Sequence, residues 1–292
     1  MKNYTAANIR NIGVFGHGGE GKTTLTEAML FNAGLLERLG KVENGTTTTD
    51  YDPEEVKRTI SINCALAPYE WKDVKVNIID APGFFDFYGE VTAAMAMADS
   101  ALIVVGAVSG PVVGTEKAMD MCKKSGKARM IVVNQMDREN ANFDKVMNEL
   151  NEKFGPSVVP IQLPIMVGYV DTVHMIAKKY DGKGEKDCDI PANLAARAQE
   201  VYEALTEAAA ETDEALMEKF FEEGELSREE IISGLNNGIL GGDITPVCCC
   251  AAQPNIGVCT LMDNLVKYMP PASMAKAPKA VNPKTGDAVE VK

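Results

Sequence analysis

Short apolar runs alternate with stretches of helical spacing along the first 155 residues. Four of the runs have the length of a buried strand, and they lie at residues 11–15, 74–79, 101–105 and 129–133. Apolar residues recur at helical intervals at residues 23–33, 88–98 and 115–125. Strands that alternate with helices predict an α/β fold, in which a doubly wound, mostly parallel sheet is covered on both faces. Ligands of such sheets bind at the carboxyl ends of the strands.

The pattern changes in residues 157–245. The part up to residue 180 is rich in β-branched residues, and residues 191–237 are almost purely helical and acidic, with a capping box at Ser227 and Glu230. An apolar run at 245–250 and a helix at 257–268 return to the first pattern. We therefore predict a core of residues 1–156 and 246–269, with an inserted α+β subdomain at residues 157–245. Residues 270–292 contain four prolines and are expected to link to a downstream domain.

Charge and hydropathy exclude several classes of function. The 292-residue chain has a net charge of −13, and residues 157–245 alone carry 18 acidic and 7 basic side chains. Phosphate repulsion disfavours contact of this segment with nucleic acid, and we expect no sequence-specific DNA binding. No apolar run approaches the roughly 20 residues of a membrane helix, and no signal peptide is recognisable. We expect a cytoplasmic protein without a membrane partner. With two histidines and no CxxC pair, the seven cysteines form no zinc pattern.

The strongest motif is a glycine-rich loop between the first predicted strand and helix. Its sequence GHGGEGKT matches the phosphate-binding pattern G-x-x-x-x-G-K-[ST]. Glycines let successive backbone N–H groups face one anion, Lys22 supplies a positive charge between two phosphates, and the Thr23 hydroxyl can bind magnesium. The alternative, a plain glycine turn, does not explain this position in the chain. The predicted nucleotide-binding residues here are Gly16, His17, Gly18, Gly19, Glu20, Gly21, Lys22, Thr23 and Thr24.

A second motif, DAPG, follows the apolar run at 74–79. It consists of Asp80, Ala81, Pro82 and Gly83. A carboxylate at the end of a strand can hold a water molecule bound to magnesium, and the N–H of a following glycine can reach a γ-phosphate. Alone, such a sequence is a common turn. Its place after the glycine-rich loop favours the nucleotide-binding interpretation.

A third motif, NQMD, follows the run at 129–133 and consists of Asn134, Gln135, Met136 and Asp137. The Asp137 carboxylate can accept hydrogen bonds from N1–H and from the exocyclic amine of guanine. Adenine lacks that amine and presents an acceptor at N1, so adenine leaves the carboxylate unpaired. A simple turn after a strand is the alternative, and the two preceding motifs make it less favoured.

The three motifs, in this order, resemble those of translational GTPases and specifically of elongation factor G. The resemblance covers residues 11 to about 271. Residues 44–62 and 77–87 resemble the two switches of that family, residues 134–143 its guanine motif, and residues 247–271 its fifth motif and last helix. The acidic insertion resembles a subdomain peculiar to elongation factor G and its relatives. Residues 16–30 and 46–54 most resemble the second-paralogue branch.

The resemblance implies a P-loop NTPase fold, GTP or GDP with Mg²⁺, and GTP hydrolysis that is slow without the ribosome. It places Mg²⁺ on Thr23 and Ser61, and on Asp80 through water. It assigns catalysis to Lys22, Ser61 and Gly83, and adds Phe84, Ala251 and Ala252 to the nucleotide site. The implied partners are the ribosome, the ribosomal stalk protein through the acidic insertion, and downstream domains of the same chain.

Departures from the family are concentrated at the site. Gly19 stands where the family usually has aspartate, and Ser61 stands where it has threonine, which preserves the hydroxyl. Gln135 replaces a lysine and so loses a charge. The pair Ala251-Ala252 replaces Ser-Ala, but its backbone N–H groups remain available to the guanine carbonyl.

The largest departure is Phe84, which stands where the family has the histidine that orients the attacking water. Loss of such a group typically costs about 10²–10⁴-fold in rate. Two hypotheses follow. In the first, GTP hydrolysis is slow or another group positions the water, and His17 is a candidate for that group. In the second, the domain is a GTP-dependent binding module with hardly any turnover. A ribosome-protection or release-factor relative would share this domain. A P-loop metabolic kinase is a further alternative.

Overall fold

A computed structural model of the chain describes residues 2–180, 185–275 and 280–289. The strands are β1 Ile9–Gly16, β2 Ala65–Trp71, β3 Val74–Asp80, β4 Ser100–Gly106, β5 Ala128–Asn134, β6 Val158–Pro160, β7 Gln162–Ile165, β8 Gly168–Asp171, β9 Ile176–Tyr180, β10 Glu185–Cys188, β11 Thr245–Cys249, β12 Ala280–Val281 and β13 Ala288–Val289. The helices are α1 Lys22–Asn32, α2 Pro53–Arg58, α3 Tyr88–Met97, α4 Val113–Ser125, α5 Phe143–Phe154, α6 Ala192–Ala210, α7 Glu214–Glu223, α8 Arg228–Gly241 and α9 Val258–Tyr268.

Seven strands form one sheet in the order β2-β3-β1-β4-β5-β11-β6. All neighbouring pairs are parallel except β2 and β3, which are antiparallel. Every residue of β4 and β5 is buried, as expected for central strands covered on both faces by helices. The predicted α/β fold with a mostly parallel sheet is therefore confirmed.

The register of the sheet brings the chemistry-bearing motifs to one edge. Gly16 pairs with Val104 between β1 and β4, and Gly106 pairs with Asn134 between β4 and β5. Asp80 ends β3 beside β1. Because these strands are parallel, the glycine-rich loop, the DAPG motif and the NQMD motif all leave the sheet at its carboxyl edge.

The predicted insertion contains a second, four-stranded sheet with the order β10-β9-β8-β7, antiparallel throughout, followed by α6, α7 and α8. Its helices α6 and α8 pack closely where Gly234 meets Ala209, since a Cβ on that glycine would lie 2.5 Å from the Ala209 carbonyl oxygen. The predicted capping box at Ser227 and Glu230 begins α8 and is confirmed. Strand β6 lies within residues 157–245 but pairs with β11 of the large sheet. The division at residues 157 and 245 stays a prediction.

Several elements were not predicted from the sequence, among them β2, the short helix α2 and helix α5. Strand β2 alternates between buried and exposed residues and contains Pro68, which an edge strand tolerates because one side has no neighbour. Helix α5 buries Phe143, Val146, Met147 and Leu150 at helical spacing. In the predicted linker, β12 and β13 form an antiparallel pair, and residues 290–292 lie outside the described part. Within the described ranges, no helix has both the length and the apolar character that membrane crossing requires.

Candidate nucleotide-binding site

The glycine-rich loop joins the end of β1 to the start of α1. Gly21 precedes the helix in a left-handed conformation, with φ of 85°, which side chains rarely adopt. The loop therefore turns directly into the N-terminus of α1, where unpaired N–H groups and the helix dipole favour an anion. This agrees with the local sequence, in which Gly18, Gly19 and Gly21 precede Lys22.

Lys22 supplies the positive charge of the loop. It is buried, and its Nζ donates a hydrogen bond of 2.8 Å to the carbonyl oxygen of His17. Burial lowers the pKa of Lys22 to about 8, while Asp80, Glu20 and Asp50 oppose this shift. A phosphate would relieve the cost of burying this cation, because an anion would face it.

Hydroxyl and carboxylate groups converge beside the loop. The Oγ1 of Thr23 lies 3.0 Å from the Oγ of Ser61, which donates a 2.7 Å hydrogen bond to Asp50. The Thr49 hydroxyl donates a 2.9 Å hydrogen bond to one oxygen of Asp80, at the end of β3. The other oxygen, Oδ1, is buried without a hydrogen-bond partner, and burial raises the pKa of Asp80 to about 6.

These groups fit a magnesium ion. Mg²⁺ prefers oxygen ligands in an octahedron at about 2.0–2.1 Å, so neighbouring ligand oxygens lie about 2.9 Å apart. The hydroxyls of Thr23 and Ser61 have nearly that separation. The unsatisfied oxygen of Asp80 is the acceptor that a metal-bound water would need. The described ranges contain no cluster of three or more His, Cys, Asp and Glu side chains suited to a metal, so hydroxyl and phosphate oxygens would have to complete the coordination.

Gly83 of the DAPG motif lies directly against the phosphate-binding loop. A Cβ on this residue would lie 2.7 Å from the backbone nitrogen of Gly18 and would overlap Nζ of Lys22. Only glycine allows this approach, because any side chain would displace the loop or its cation. The second predicted motif therefore closes over the first.

Phe84 follows Gly83 and covers the loop with a hydrocarbon ring. A Cβ on Gly18 would lie 2.9 Å from the ring, and 40% of Phe84 is exposed. The next residue, Phe85, contacts the His17 ring at a centroid distance of 5.7 Å and the Lys117 ammonium at 4.0 Å. Phe84 offers no hydrogen bond to a water molecule, whereas His17 has a buried Nδ1 without a partner.

The third motif contributes Asn134, Gln135 and Asp137 to the lining of the same cleft. The Asn134 amide donates to the Glu20 carbonyl at 2.9 Å and accepts from the Ala252 N–H at 3.0 Å. Gln135 donates to the Gly19 carbonyl at 2.9 Å and has a left-handed φ of 63°. The exposed Asp137 lines the same cleft. The NQMD loop is thus hydrogen-bonded to both the phosphate-binding loop and the turn after β11.

Comparison with known proteins decides the family. Residues 7–271 match the family described as the elongation factor Tu GTP binding domain. The chain belongs to this family. It is also similar to a protein of known crystal structure from Thermus thermophilus, with 36% sequence identity and a TM-score of 0.86. That match covers 91% of this chain and 41% of the Thermus chain, so the chain spans less than half of that relative.

The predicted membership of the translational GTPases is confirmed, and the chain is a GTP-binding domain of that family. Thirteen predicted residues line the cleft of this domain: Gly18, Gly19, Gly21, Lys22, Thr23, Thr24, Ser61, Gly83, Phe84, Asn134, Gln135, Asp137 and Ala252. Eight others do not line it: Gly16, His17, Glu20, Asp80, Ala81, Pro82, Met136 and Ala251. The individual ligand roles of all of them stay predictions.

Glu20 is the clearest case of a predicted residue whose side chain points elsewhere. Its carboxylate is buried and accepts hydrogen bonds from the Ser109 hydroxyl at 2.9 and 3.1 Å. Burial raises the pKa of Glu20, and the Ser109 hydrogen bond opposes that shift. Its carbonyl oxygen, held by Asn134, keeps the residue part of the site through the backbone.

Asp50, Thr49 and Glu55 are among the polar residues near the site that were not predicted individually. Asp50 lines the cleft, Thr49 holds Asp80, and Glu55 binds the backbone after Ser61. The signal for Glu55 was present, since Asp52 and Glu55 have the spacing of a capping box. The contacts of Asp50 and Thr49 had no comparable signal, because they depend on how the segment folds back onto α1 and β3.

Proposed function

We propose that this GTP-binding domain belongs to an elongation factor G-like protein that hydrolyses GTP with Mg²⁺ in a step associated with the ribosome. The observation that carries the proposal is that Lys22, Thr23, Ser61 and Gly83 line one cleft together with Asp137. The first four residues suit a triphosphate and its metal. Asp137 suits guanine.

At the phosphate end, this chain's residues would act by position and charge. Lys22 would neutralise phosphate charge, and Gly83, which packs against the loop, would direct its N–H to the terminal phosphate. Thr23 and Ser61 would hold Mg²⁺, with Asp80 acting through water. The bound metal would supply Lewis-acid stabilisation of the charge that develops on the phosphates.

At the base end, Asp137 would select guanine over adenine. Two charge-assisted hydrogen bonds contribute about 1.5–3 kcal/mol each. Adenine forms neither and leaves the carboxylate unpaired, which explains a preference for GTP over ATP. Gln135 and Asn134 hold the loop that carries this carboxylate.

Phe84 favours a second candidate function, a GTP-dependent switch or binding module with little turnover. The ring lies on the loop where the family has a histidine, and it cannot orient a water molecule. A ribosome-protection or release-factor relative, with the same domain and other downstream domains, is the remaining alternative.

The acidic insertion supports a role in docking a partner, and we propose the ribosomal stalk protein. Helix α7 has no buried residue and carries Phe221, which is 80% exposed, among acidic neighbours. Such a face suits a basic partner surface with an apolar contact. A cytoplasmic location and contacts with downstream domains belong to the same proposal.

The test is GTP hydrolysis by the full-length protein with and without ribosomes. Strong stimulation by ribosomes would support a working translational GTPase in which another group compensates for Phe84. A near-zero rate in both conditions, with GTP binding verified, would favour the switch. Absence of GTP binding would reject both.

A further inference from the structure

Helix α2 buries a carboxylate and no apolar side chain. Glu55 is 0% exposed and is the single buried residue within Pro53–Arg58. An ionised carboxylate inside a protein is costly unless hydrogen bonds replace its water. The buried Glu55 carboxylate therefore needs hydrogen-bond partners within the protein.

The Glu55 carboxylate joins the two ends of the segment. One oxygen accepts a 3.0 Å hydrogen bond from the N–H of Asp52, before the helix. The other accepts from the N–H groups of Ile62 and Asn63, at 2.8 and 2.9 Å, after it. Its own carbonyl accepts from Ile60 at 3.2 Å. Glu55 thus closes the backbone between residues 52 and 63 into a loop, which we call the Glu55 clamp.

The clamp encloses a strained residue and Ser61. Thr59 is β-branched but has φ of 55° and ψ of 38°, a left-handed conformation that costs energy outside glycine. Ser61 immediately precedes Ile62, and its hydroxyl reaches both Asp50 and Thr23. The hydrogen bonds to Glu55 fix the backbone on both sides of this strained turn.

We propose that Glu55 is a positioning residue for the triphosphate state: its carboxylate holds the turn that presents the Ser61 hydroxyl to Thr23 and to Mg²⁺. This inference rests on the proposed role of Ser61. Glu55 touches neither the cleft nor the phosphate-binding loop. Its effect therefore falls on the metal and the terminal phosphate and leaves the base end and Lys22 unchanged.

The chain offers a matched control on the same helix. Glu54 precedes Glu55, has a side chain that is 49% exposed, and pairs with Lys57 and Arg58 at 3.7 and 3.0 Å. Glu54→Gln removes a similar charge from the same element without touching the clamp. Glu55→Gln keeps one acceptor oxygen for Ile62 and Asn63, whereas Glu55→Ala removes all three hydrogen bonds.

The experiment compares binding of GDP and of a non-hydrolysable GTP analogue by the GTP-binding domain across a Mg²⁺ titration. We expect Glu55→Ala to weaken binding of the analogue by about 10-fold to 100-fold, because three backbone N–H groups lose their partner. The Mg²⁺ concentration at half-saturation rises with it. Binding of GDP changes by less than about 3-fold, Glu55→Gln is intermediate, and Glu54→Gln behaves as wild type.

Limited trypsin digestion gives a reading that does not need nucleotide. Lys57 and Arg58 lie inside the loop closed by the clamp, and we expect faster cleavage there in Glu55→Ala than in wild type. Equal loss of affinity for both nucleotides would overturn the inference, and so would unchanged cleavage and affinity in the Glu55 variants. If the wild-type chain binds GDP but not the analogue with Mg²⁺, the proposed function fails as well, which separates the two results.

Discussion

The nucleotide-binding core and the acidic insertion differ in how far their carboxylates are exposed to solvent. In the core, Asp50, Asp80 and Glu55 are almost fully buried, and burial raises the pKa of both aspartates. In the insertion, the carboxylates of α7 face solvent. Among the described carboxylates of the insertion, Glu230 has a pKa lowered to about 2, chiefly by the hydrogen bond from Lys219.

The contrast shows that most of the net charge and the buried ionisable groups of the nucleotide site lie in different parts of the molecule. Most of the net negative charge lies in the insertion, where water screens it and each group contributes little to stability. The core has a nearly balanced charge but holds its carboxylates against a single buried lysine. Substitutions should therefore have large effects on nucleotide binding in the core and small effects in the insertion.

The largest effect is expected for Lys22→Met, which keeps most of the volume and removes the charge. The phosphates would then face buried Asp80 and Asp50 without a cation. We expect GTP and GDP affinity to fall by about 10²–10³-fold, as for loss of one member of a buried charge pair. Calorimetric titration measures it, with the exposed Lys145→Met as control. Unchanged affinity would place the phosphates elsewhere.

Asp137→Asn should have the next largest effect. It replaces an acceptor-only carboxylate by an amide, so one of the two contacts to guanine is lost and the other is weakened. We expect GTP affinity to fall by about 10²-fold while ATP binding stays weak. Competition between the two nucleotides measures the ratio, and Asp144→Asn on α5 serves as control. A preserved preference for GTP would remove Asp137 from base recognition.

Much of the core could be predicted from the sequence because its strands and its phosphate-binding loop are each specified by a short continuous segment. Strands β4 and β5 are continuous apolar runs, and the phosphate-binding loop is one uninterrupted motif. Strand β2 was not predicted because it contains Pro68 and because its conformation depends on antiparallel pairing with β3. The hydrogen bonds of Ser61 to Asp50 and Thr23 join segments 11 and 38 residues apart, and only the closed fold brings them together.

Phe84→His tests the departure that separates the two candidate functions. A histidine at this place could orient a water molecule, so we expect hydrolysis to rise by about 10-fold or more without tighter GTP binding. Single-turnover measurement of phosphate release follows the change. The adjacent Phe85→His is the control, since that ring is similarly exposed but contacts His17 and Lys117. An unchanged rate of hydrolysis in Phe84→His would count against the hypothesis that residue 84 limits turnover.

The smallest effect is expected in the insertion, for Glu230→Gln. Because the pKa of Glu230 is lowered in the fold, its contribution to stability is present above its unfolded value of about 4.5 and is lost as the pH falls toward 2. The variant should be slightly less stable than the wild-type chain at neutral pH, and its stability should fall less on acidification. Thermal unfolding between pH 2 and 7 measures this, with Glu222→Gln as control. An identical acid response in the two variants would contradict the assignment to Lys219.

Selectivity of the cleft for guanine is tested most directly by calorimetric titration of the GTP-binding domain with GTP and with ATP, each in the presence of Mg²⁺ at neutral pH. We expect GTP to bind at least about 100-fold more tightly than ATP, because only guanine satisfies Asp137. Equal affinity for the two nucleotides would contradict the assignment of the cleft as a guanine nucleotide site.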